Sequence, residues 1–148
     1  PDITITDSAL RFYPLYKEVS KSSQFTMDIY AHEVTNLIGA EITFTYDISK
    51  SSFDLAEKGS LLSSEWDVLI QEHDTVSGTV ILTLATALDD GLGITGSGSL
   101  VRVSFTPLIS GPDSFELDLS ESSLFIKNTT PNSSNSFSSL INAVIVIE

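Results

Sequence analysis

A regular alternation of apolar and polar residues is the feature of this sequence that most restricts its fold. In the segments 24–32 and 36–47 every second residue is apolar. An alternation with a period of two is typical of half-buried β-strands, because successive side chains of a strand point to opposite faces. The inward residues of these segments are Phe25, Met27, Ile29, Ala31, Ile42, Phe44 and Tyr46. The pattern predicts two strands joined by a short polar corner.

The same alternation continues along the rest of the chain. Residues 66–72 and 79–86 are separated by the turn sequence 75–78, which predicts a β-hairpin. Residues 100–105 alternate again before Pro107, and Val101, Val103 and Phe105 are expected to point inward. Further strands are predicted at 3–5, 115–119, 123–126 and 141–147. The final apolar strand is expected to pair beside the first strand, because an unpaired apolar edge would favour aggregation.

About nine strands in 148 residues predict a single all-β domain, 1–148, with the architecture of a β-sandwich. The sequence shows no convincing long helix. We expect at most one short helical turn, within 55–62 or in the glycine-rich connection 89–98. The polar stretch 128–136 is predicted to be a loop.

The charge of the chain limits its partners. Seven Lys and Arg residues stand against twenty Asp and Glu residues, which gives a formal net charge of −13. Such a field repels phosphate backbones and anionic membranes and attracts basic partners. The chain has no cysteine, so neither disulfides nor thiolate metal sites are possible. No apolar stretch approaches the roughly 20 residues of a membrane-spanning helix, so membrane insertion is not expected.

The sequence contains no constellation that predicts catalysis. His32 and His73 each precede a carboxylate, Glu33 and Asp74, but solvated turn histidines are a better interpretation than a metal site. No serine lies in a Gly-x-Ser-x-Gly turn before a helix. The acidic pair at 89–90 lacks the Asp-x-Asp-x-Asp-Gly pattern of a calcium loop and is read as a solvated loop. We therefore predict no catalytic residue, no metal ligand and no cofactor.

Four sequence blocks resemble a known family. They are Phe25-Thr-Met-Asp-Ile-Tyr30, Asn36-Leu-Ile-Gly-Ala-Glu41, Phe44-Thr-Tyr-Asp47 and Gly96-Ser-Gly-Ser-Leu-Val-Arg-Val-Ser-Phe105. With them the chain resembles the cohesin family, the modules that bind dockerin modules in cellulosomes and related extracellular assemblies. The order and spacing of the blocks extend the resemblance from about Ile3 to Ile147.

The resemblance implies a nine-stranded jelly-roll sandwich without catalytic activity. It also implies a scaffoldin-like or cell-surface protein, secreted by a bacterium or archaeon, that takes part in assemblies for polysaccharide degradation. The implied partner is a dockerin module, whose EF-hand-like loops carry the calcium. The cohesin-like domain itself is expected to be a monomer when it is alone.

The family resemblance places the dockerin-binding face on four strands, which here are 39–46, 66–72, 79–86 and 100–106. Strand alternation then supplies the outward residues of that face. They are Glu41, Thr43 and Thr45; Asp67, Leu69 and Gln71; Ile81, Thr83 and Ala85; and Leu100, Arg102 and Ser104, with Gly39 beside them. Gly39 stands where the family often carries an Asn. Glu41 stands where the family often carries an acidic contact residue.

The predicted face is chemically mixed. Leu69, Ile81 and Leu100 would form its dry centre, while Glu41, Asp67 and Gln71 would accept hydrogen bonds from a basic or hydroxyl-bearing helix.

Two other functions remain open from the sequence. The first is a carbohydrate-binding module that uses exposed aromatic rings, for which the candidates are Phe12, Tyr13, Tyr16 and Trp66. We expect instead that Trp66 fills the core and that the other rings pack over one end of the sandwich. The second alternative is a structural spacer of a cell-surface protein, without a ligand of its own.

Overall fold

The computed structural model describes residues 9–62, 66–86, 94–109, 112–119, 123–126, 133–136 and 139–148, and these residues form strands and turns without a helix. Twelve strands follow one another along the described chain. They are β1 (Ala9–Tyr13), β2 (Tyr16–Val19), β3 (Phe25–Thr45), β4 (Ser51–Lys58), β5 (Trp66–Asp74), β6 (Thr79–Thr86), β7 (Ile94–Pro107), β8 (Asp113–Leu119), β9 (Ser123–Ile126), β10 (Ser133–Ser136), β11 (Ser139–Ile141) and β12 (Ala143–Ile147).

The long strand β3 takes part in both layers of the fold. Its first half pairs with β1 on one edge and with β7 on the other, and β11 and β4 extend this first layer to the order β11-β1-β3-β7-β4. Its second half pairs with β6 and β9, which gives a second layer of order β10-β9-β3-β6-β5. One continuous curled sheet thus forms the two layers, so the prediction of a β-sandwich is confirmed.

The change of layer occurs within residues 31–37 of β3. Its register against β7 shifts between Ala31 and Val34 and again between Val34 and Leu37. Glu33, between them, has a positive φ of 54°. Such irregularities bend a strand and increase its twist. Where the sequence predicts two strands with a polar corner, the structure therefore has one bent strand.

An aromatic cluster joins the two layers in the core. Phe44, on the second half of β3, packs edge-on against three rings of the first layer. The ring centroids lie 5.9 Å from Phe12, 5.7 Å from Phe53 and 6.0 Å from Phe105. Edge-to-face pairs at this spacing are a favourable arrangement of aromatic rings. The predicted inward residues of both halves of β3, from Phe25 to Tyr46, are all buried.

The C-terminal strands close the fold against the N-terminal ones. β11 pairs with β1 and β12 pairs with β2, both in parallel, while β12 also pairs antiparallel with β8. Ile145 and Ile147 are buried by this arrangement. The last strand thus lies between β2 and β8, while the strand at 3–5, beside which it was predicted to pair, falls outside the described residues.

Two local predictions differ from the structure. Within 55–62, where at most one helical turn was expected, β4 continues to Lys58 and a single turn follows, in which the amide of Leu62 donates to the carbonyl of Gly59. The glycine-rich connection is shorter than predicted, since β7 already begins at Ile94, and β10 lies within the predicted polar loop. The strand expected at 3–5 and residues 89–93 lie outside the described residues.

Gly78 lies in the hairpin turn between β5 and β6, and its replacement should lower the stability of the fold. Gly78 has a φ of +76°, and a Cβ at this position would clash with the carbonyl oxygen of Tyr46. We expect Gly78→Ala to lower the free energy of unfolding by about 1–3 kcal/mol, because it adds both backbone strain and a clash with the main chain. Urea denaturation measures this loss.

Gly96→Ala is the matched control. Gly96 also has a positive φ, of +133°, but a Cβ there would have no neighbour within 4 Å. We expect this variant to lose less stability than Gly78→Ala. Equal losses would show that the contact with Tyr46 contributes nothing.

Candidate functional site

The outward side chains of β5, β6 and residues 39–45 of β3 form one flat surface, called here the three-strand face. The strands are antiparallel, and their pairing aligns the outward residues in cross-strand rows. Three adjacent rows are Gly39–Ala85–Asp67, Glu41–Thr83–Leu69 and Thr43–Ile81–Glu72. Beyond β3, the sheet continues onto β9, which pairs with residues 37–41.

The three-strand face is flat because its central positions carry short side chains. Threonine, alanine and glycine occupy most outward positions of β3 and β6, while Ile42 and Leu82, between them along the strands, are fully buried. Leu69 projects from this surface with 56% of its area exposed. Its neighbour Ile70 pairs with the buried Leu82 and so lies on the opposite side of β5. An exposed apolar side chain on a flat polar sheet is suited to a protein contact.

The charge of the three-strand face is of one sign. Glu41, Asp67 and Glu72 lie in adjacent rows, and neither β5, β6 nor residues 37–45 contain a lysine or arginine. The face therefore presents hydrogen-bond acceptors without cations of its own. A partner that meets it must supply the positive charges or hydroxyl donors, since like charges facing each other across an interface are costly.

A cleft of about 440 Å³ borders the three-strand face at the end of β3. Asp118 of β8 pairs with Thr45 and lines this cleft together with Asp47 and Glu116. The alternation of Phe115, Leu117 and Leu119 with polar residues predicts the strand β8, but it does not identify β3 as its neighbour.

Comparison with known proteins supports this architecture. No protein-family model matches the chain, and no curated protein matches it. Solved structures do match along nearly the whole chain. The sixth cohesin of scaffoldin B from Acetivibrio cellulolyticus, solved with a Cel5 dockerin mutant, has a TM-score of 0.76 at 15% identity and covers 97% of this chain and 100% of its own.

Two further solved structures are similar to this chain along nearly its whole length. A type II cohesin domain from the cellulosome of A. cellulolyticus has a TM-score of 0.74 at 18% identity, with 95% of each chain covered. The cohesin module of a family 33 glycoside hydrolase from Clostridium perfringens has a TM-score of 0.70 at 20% identity, and covers 97% of this chain and 100% of its own. The chain has the cohesin fold. The predicted fold class is confirmed, with twelve described strands in place of nine.

One strand of the predicted binding face belongs to the other layer of the cohesin fold. Residues 100–106 are part of β7, which pairs with the first half of β3 and with β4, not with the strands of the three-strand face. The placement of Leu100, Arg102 and Ser104 on that face is therefore wrong. Alternation predicts which side of a strand a residue faces, but it does not predict the strand's neighbours.

Two β7 residues that were predicted to be exposed are also buried. Leu100 is fully buried because it is the extra residue of a β-bulge, where Val101 pairs with Ile29 but Ser99 already pairs with Tyr30. Ser104 is buried as well, with its hydroxyl 3.3 Å from that of Thr26. Arg102 is exposed, and its Nε lies 3.4 Å from Asp28 on the layer opposite the three-strand face.

A second bulge changes the edge strand β5. The register against β6 shifts between Ile70 and Glu72, so that Glu72 takes the position opposite Ile81. Gln71 is the extra residue. It is exposed as predicted, but Glu72 occupies the outward place in the row that alternation assigns to Gln71. The remaining predicted residues of β3, β5 and β6 lie on the three-strand face. Gly39, which has no side chain, is a buried backbone position of that face.

The interpretation of the two histidines as solvated turn residues is wrong. His73 is half-buried, its Nε2 lies 2.7 Å from the hydroxyl of Tyr46, and its ring packs against Phe53. His32 packs against Tyr30, with ring centroids 4.8 Å apart, and burial lowers its pKa. Among the described residues, no group of three or more histidine and acidic side chains could hold a metal ion.

The aromatic candidates divide into two groups. Trp66 is buried, as predicted, and Phe12 is fully buried in the core. Tyr13 and Tyr16, by contrast, are each 54% exposed, so the expectation that they pack over one end of the sandwich is wrong.

The turn at the end of the three-strand face should contribute less to stability at acidic pH. The Asp74 carboxylate accepts hydrogen bonds from the amides of Val76, at 2.8 Å, and Ser77, at 3.3 Å, and these bonds lower the pKa of Asp74 below its ordinary 3.8. Its contribution to stability is present above pH 3.8 and is lost as the pH falls through the lowered pKa of the folded protein.

We therefore expect Asp74→Asn, which cannot ionise, to lower the melting temperature at neutral pH. The fall in melting temperature between about pH 5 and pH 2.5 should then be smaller than for the parent protein. Thermal denaturation followed by circular dichroism at several pH values measures both effects. An unchanged pH dependence in the variant would contradict the proposed role of Asp74.

Proposed function

We propose that this chain is a non-catalytic adaptor module that binds a dockerin module through the three-strand face. The observation that carries the proposal is the aligned set of rows, in which Glu41, Thr83 and Leu69 lie side by side on a flat exposed sheet. Two findings support it. The chain matches a cohesin structure over 97% of its length, and that cohesin was solved in complex with a dockerin.

The rigidity of the face suits it to receive a preformed partner. Its backbone is held by the ladders of β3, β6 and β5, and the buried Ile42, Phe44 and Leu82 fix the sheet from below. A surface of this kind loses little conformational entropy on binding, so more of the interaction energy appears as affinity. The partner is expected to lay a helix across the strands.

The acidic rows should govern how the partner approaches. With a net charge of −13 and carboxylates at Glu41, Asp67 and Glu72, the face attracts a basic helix surface over long range. The apolar side chains of Leu69 and Ile81 then supply the dry part of the interface. In this mechanism the charges steer and orient the partner, and the apolar contact stabilises the complex.

The proposed setting is an extracellular or cell-surface assembly in which the module attaches a dockerin-bearing protein to the chain that carries it. No helix among the described residues is long and apolar enough to cross a membrane. The test of this function is calorimetric titration with a panel of dockerins in the presence of calcium. Saturable one-to-one binding supports the proposal, and a chain that binds none of the panel would be better described as a spacer.

The centre of the interface can be tested at Leu69. We expect Leu69→Asp to weaken dockerin binding by about 2 kcal/mol, or roughly 30-fold, because it places a charge in the dry part of the contact. The free energy of unfolding should change by less than about 0.5 kcal/mol, since the side chain is 56% exposed. Titration calorimetry and urea denaturation measure the two effects.

Leu108→Asp is the matched control for this variant. Leu108 is 48% exposed but follows β7, outside the three-strand face. Its replacement should leave dockerin affinity unchanged. If both variants bind as tightly as the parent protein, the dockerin uses another surface.

The partner should require calcium for its folding, whereas this chain should not. We expect chelation with EDTA to abolish the complex, because the calcium belongs to the dockerin loops, which need it to fold. The melting temperature of this chain alone should be unchanged by EDTA. A complex that survives chelation, or a chain that is itself destabilised, would contradict the proposed division of roles.

A further inference from the structure

A second surface of the molecule carries ring side chains that the proposed function does not use. It lies on the outer side of the first layer, away from the three-strand face, and consists of Arg11 and Tyr13 on β1 with Tyr30 and His32 on β3. This group is called here the aromatic strip. The two strands are hydrogen-bonded neighbours, with Arg11 opposite Tyr30 and Tyr13 opposite Asp28.

The rings of the aromatic strip form a continuous row. The centroid of Tyr13 lies 6.3 Å from that of Tyr30, and the centroid of Tyr30 lies 4.8 Å from that of His32. Successive rings are inclined to each other by 40° and 49°. Tyr13 is 54% exposed, and Tyr30 and His32 are half-buried. One exposed ring and two partly buried rings are thus held side by side on paired strands.

Polar groups flank the aromatic strip. The Arg11 guanidinium lies 5.2 Å from the centre of the Tyr13 ring and its Nε donates to the carbonyl of Phe12, which restrains both side chains. Among the described residues, no carboxylate forms an ion pair with Arg11. The neighbouring Asp28 accepts hydrogen bonds from Ser99, at 3.0 Å, and from Arg102, at 3.4 Å.

We propose that the aromatic strip binds a neutral, linear pyranose glycan. A pyranose ring presents a face of C–H groups that packs on an aromatic ring, while its equatorial hydroxyls point outward to hydrogen-bonding groups at the side. The strip offers both elements, a row of rings and, over the Tyr13 ring, a guanidinium that forms no ion pair among the described residues. Successive sugars would lie along Tyr13, Tyr30 and His32, and Arg11 would donate to their hydroxyls.

The charge of the molecule argues for a neutral sugar. A chain with a net charge of −13 repels a polyuronate, and Arg11 does not by itself reverse that field. The aromatic strip also stays uncharged at its far end. Burial and the nearby Arg11 lower the pKa of His32, so its imidazole is neutral at pH 7.

Titration calorimetry with hexasaccharides tests the proposal. The probes are cellohexaose, xylohexaose and mannohexaose, with hexagalacturonate as the acidic comparison. We expect at least one neutral hexasaccharide to bind in the millimolar range or tighter, and hexagalacturonate to bind more weakly. The absence of neutral binding, or binding of the acidic probe alone, overturns the proposal.

Two tyrosines with the same exposure give a matched pair of variants. Tyr13→Ala should weaken glycan binding about tenfold or more because it removes a ring from the row, whereas Tyr16→Ala, on β2, should leave it unchanged. Tyr13→Phe keeps the ring and should retain most of the affinity, which shows that stacking is involved. Glycan binding that survives Tyr13→Ala overturns the assignment.

The glycan and dockerin sites are expected to be independent. Tyr13→Ala should therefore bind a dockerin as the parent protein does, and Leu69→Asp should bind the glycan as the parent does. Failure of dockerin binding in the parent protein leaves the glycan test unaffected. If Tyr13→Ala loses both activities while it remains folded, the aromatic strip is not a separate site and the proposal is wrong.

Discussion

The requirement that one strand serve both layers is the constraint on which the rest of this structure depends. β3 hydrogen-bonds to β1 and β7 along its first half and to β6 and β9 along its second half. It can do so only because its register shifts within residues 31–37, where Glu33 adopts a positive φ. The bend folds the sheet over itself and brings Phe44 onto the rings of the first layer. The packing of the core, the two layers and the two outer surfaces therefore depend on the bend in β3.

The same strand explains why two chemically different surfaces lie on opposite sides of the molecule. Outward residues of its second half, such as Glu41 and Thr43, belong to a flat acidic sheet. Outward residues of its first half, Tyr30 and His32, belong to a row of rings. The two halves lie in layers packed core to core, so their outward sides must face away from each other. A partner on one surface would leave the other free.

Local alternation was sufficient to predict most of the strands, the inward residues of β3 and most of the outward residues on β3, β5 and β6, whereas the choice of those strands as one face came from the family resemblance. It failed where the answer depends on a neighbouring strand. Leu100 and Gln71 are extra residues of β-bulges, and a bulge is defined only against its partner, which the local pattern does not contain. The assignment of β7 to the wrong layer has the same origin, because strand pairing is non-local. Tyr13 was misplaced because an aromatic residue is equally compatible with either face of a strand.

The parallel pairing at the two ends of the chain has a mechanical consequence. Ala9 lies beside Ser139 at the start of β1 and β11, and Val19 lies beside Ile147 at the end of β2 and β12. A force that pulls residues 9 and 147 apart would therefore act along these strands and shear their hydrogen bonds together, instead of opening them one at a time. Resistance to such a force depends on the rate of unfolding under load, not on equilibrium stability. Strands paired in this way distribute a load between residues 9 and 147 over several hydrogen bonds at once.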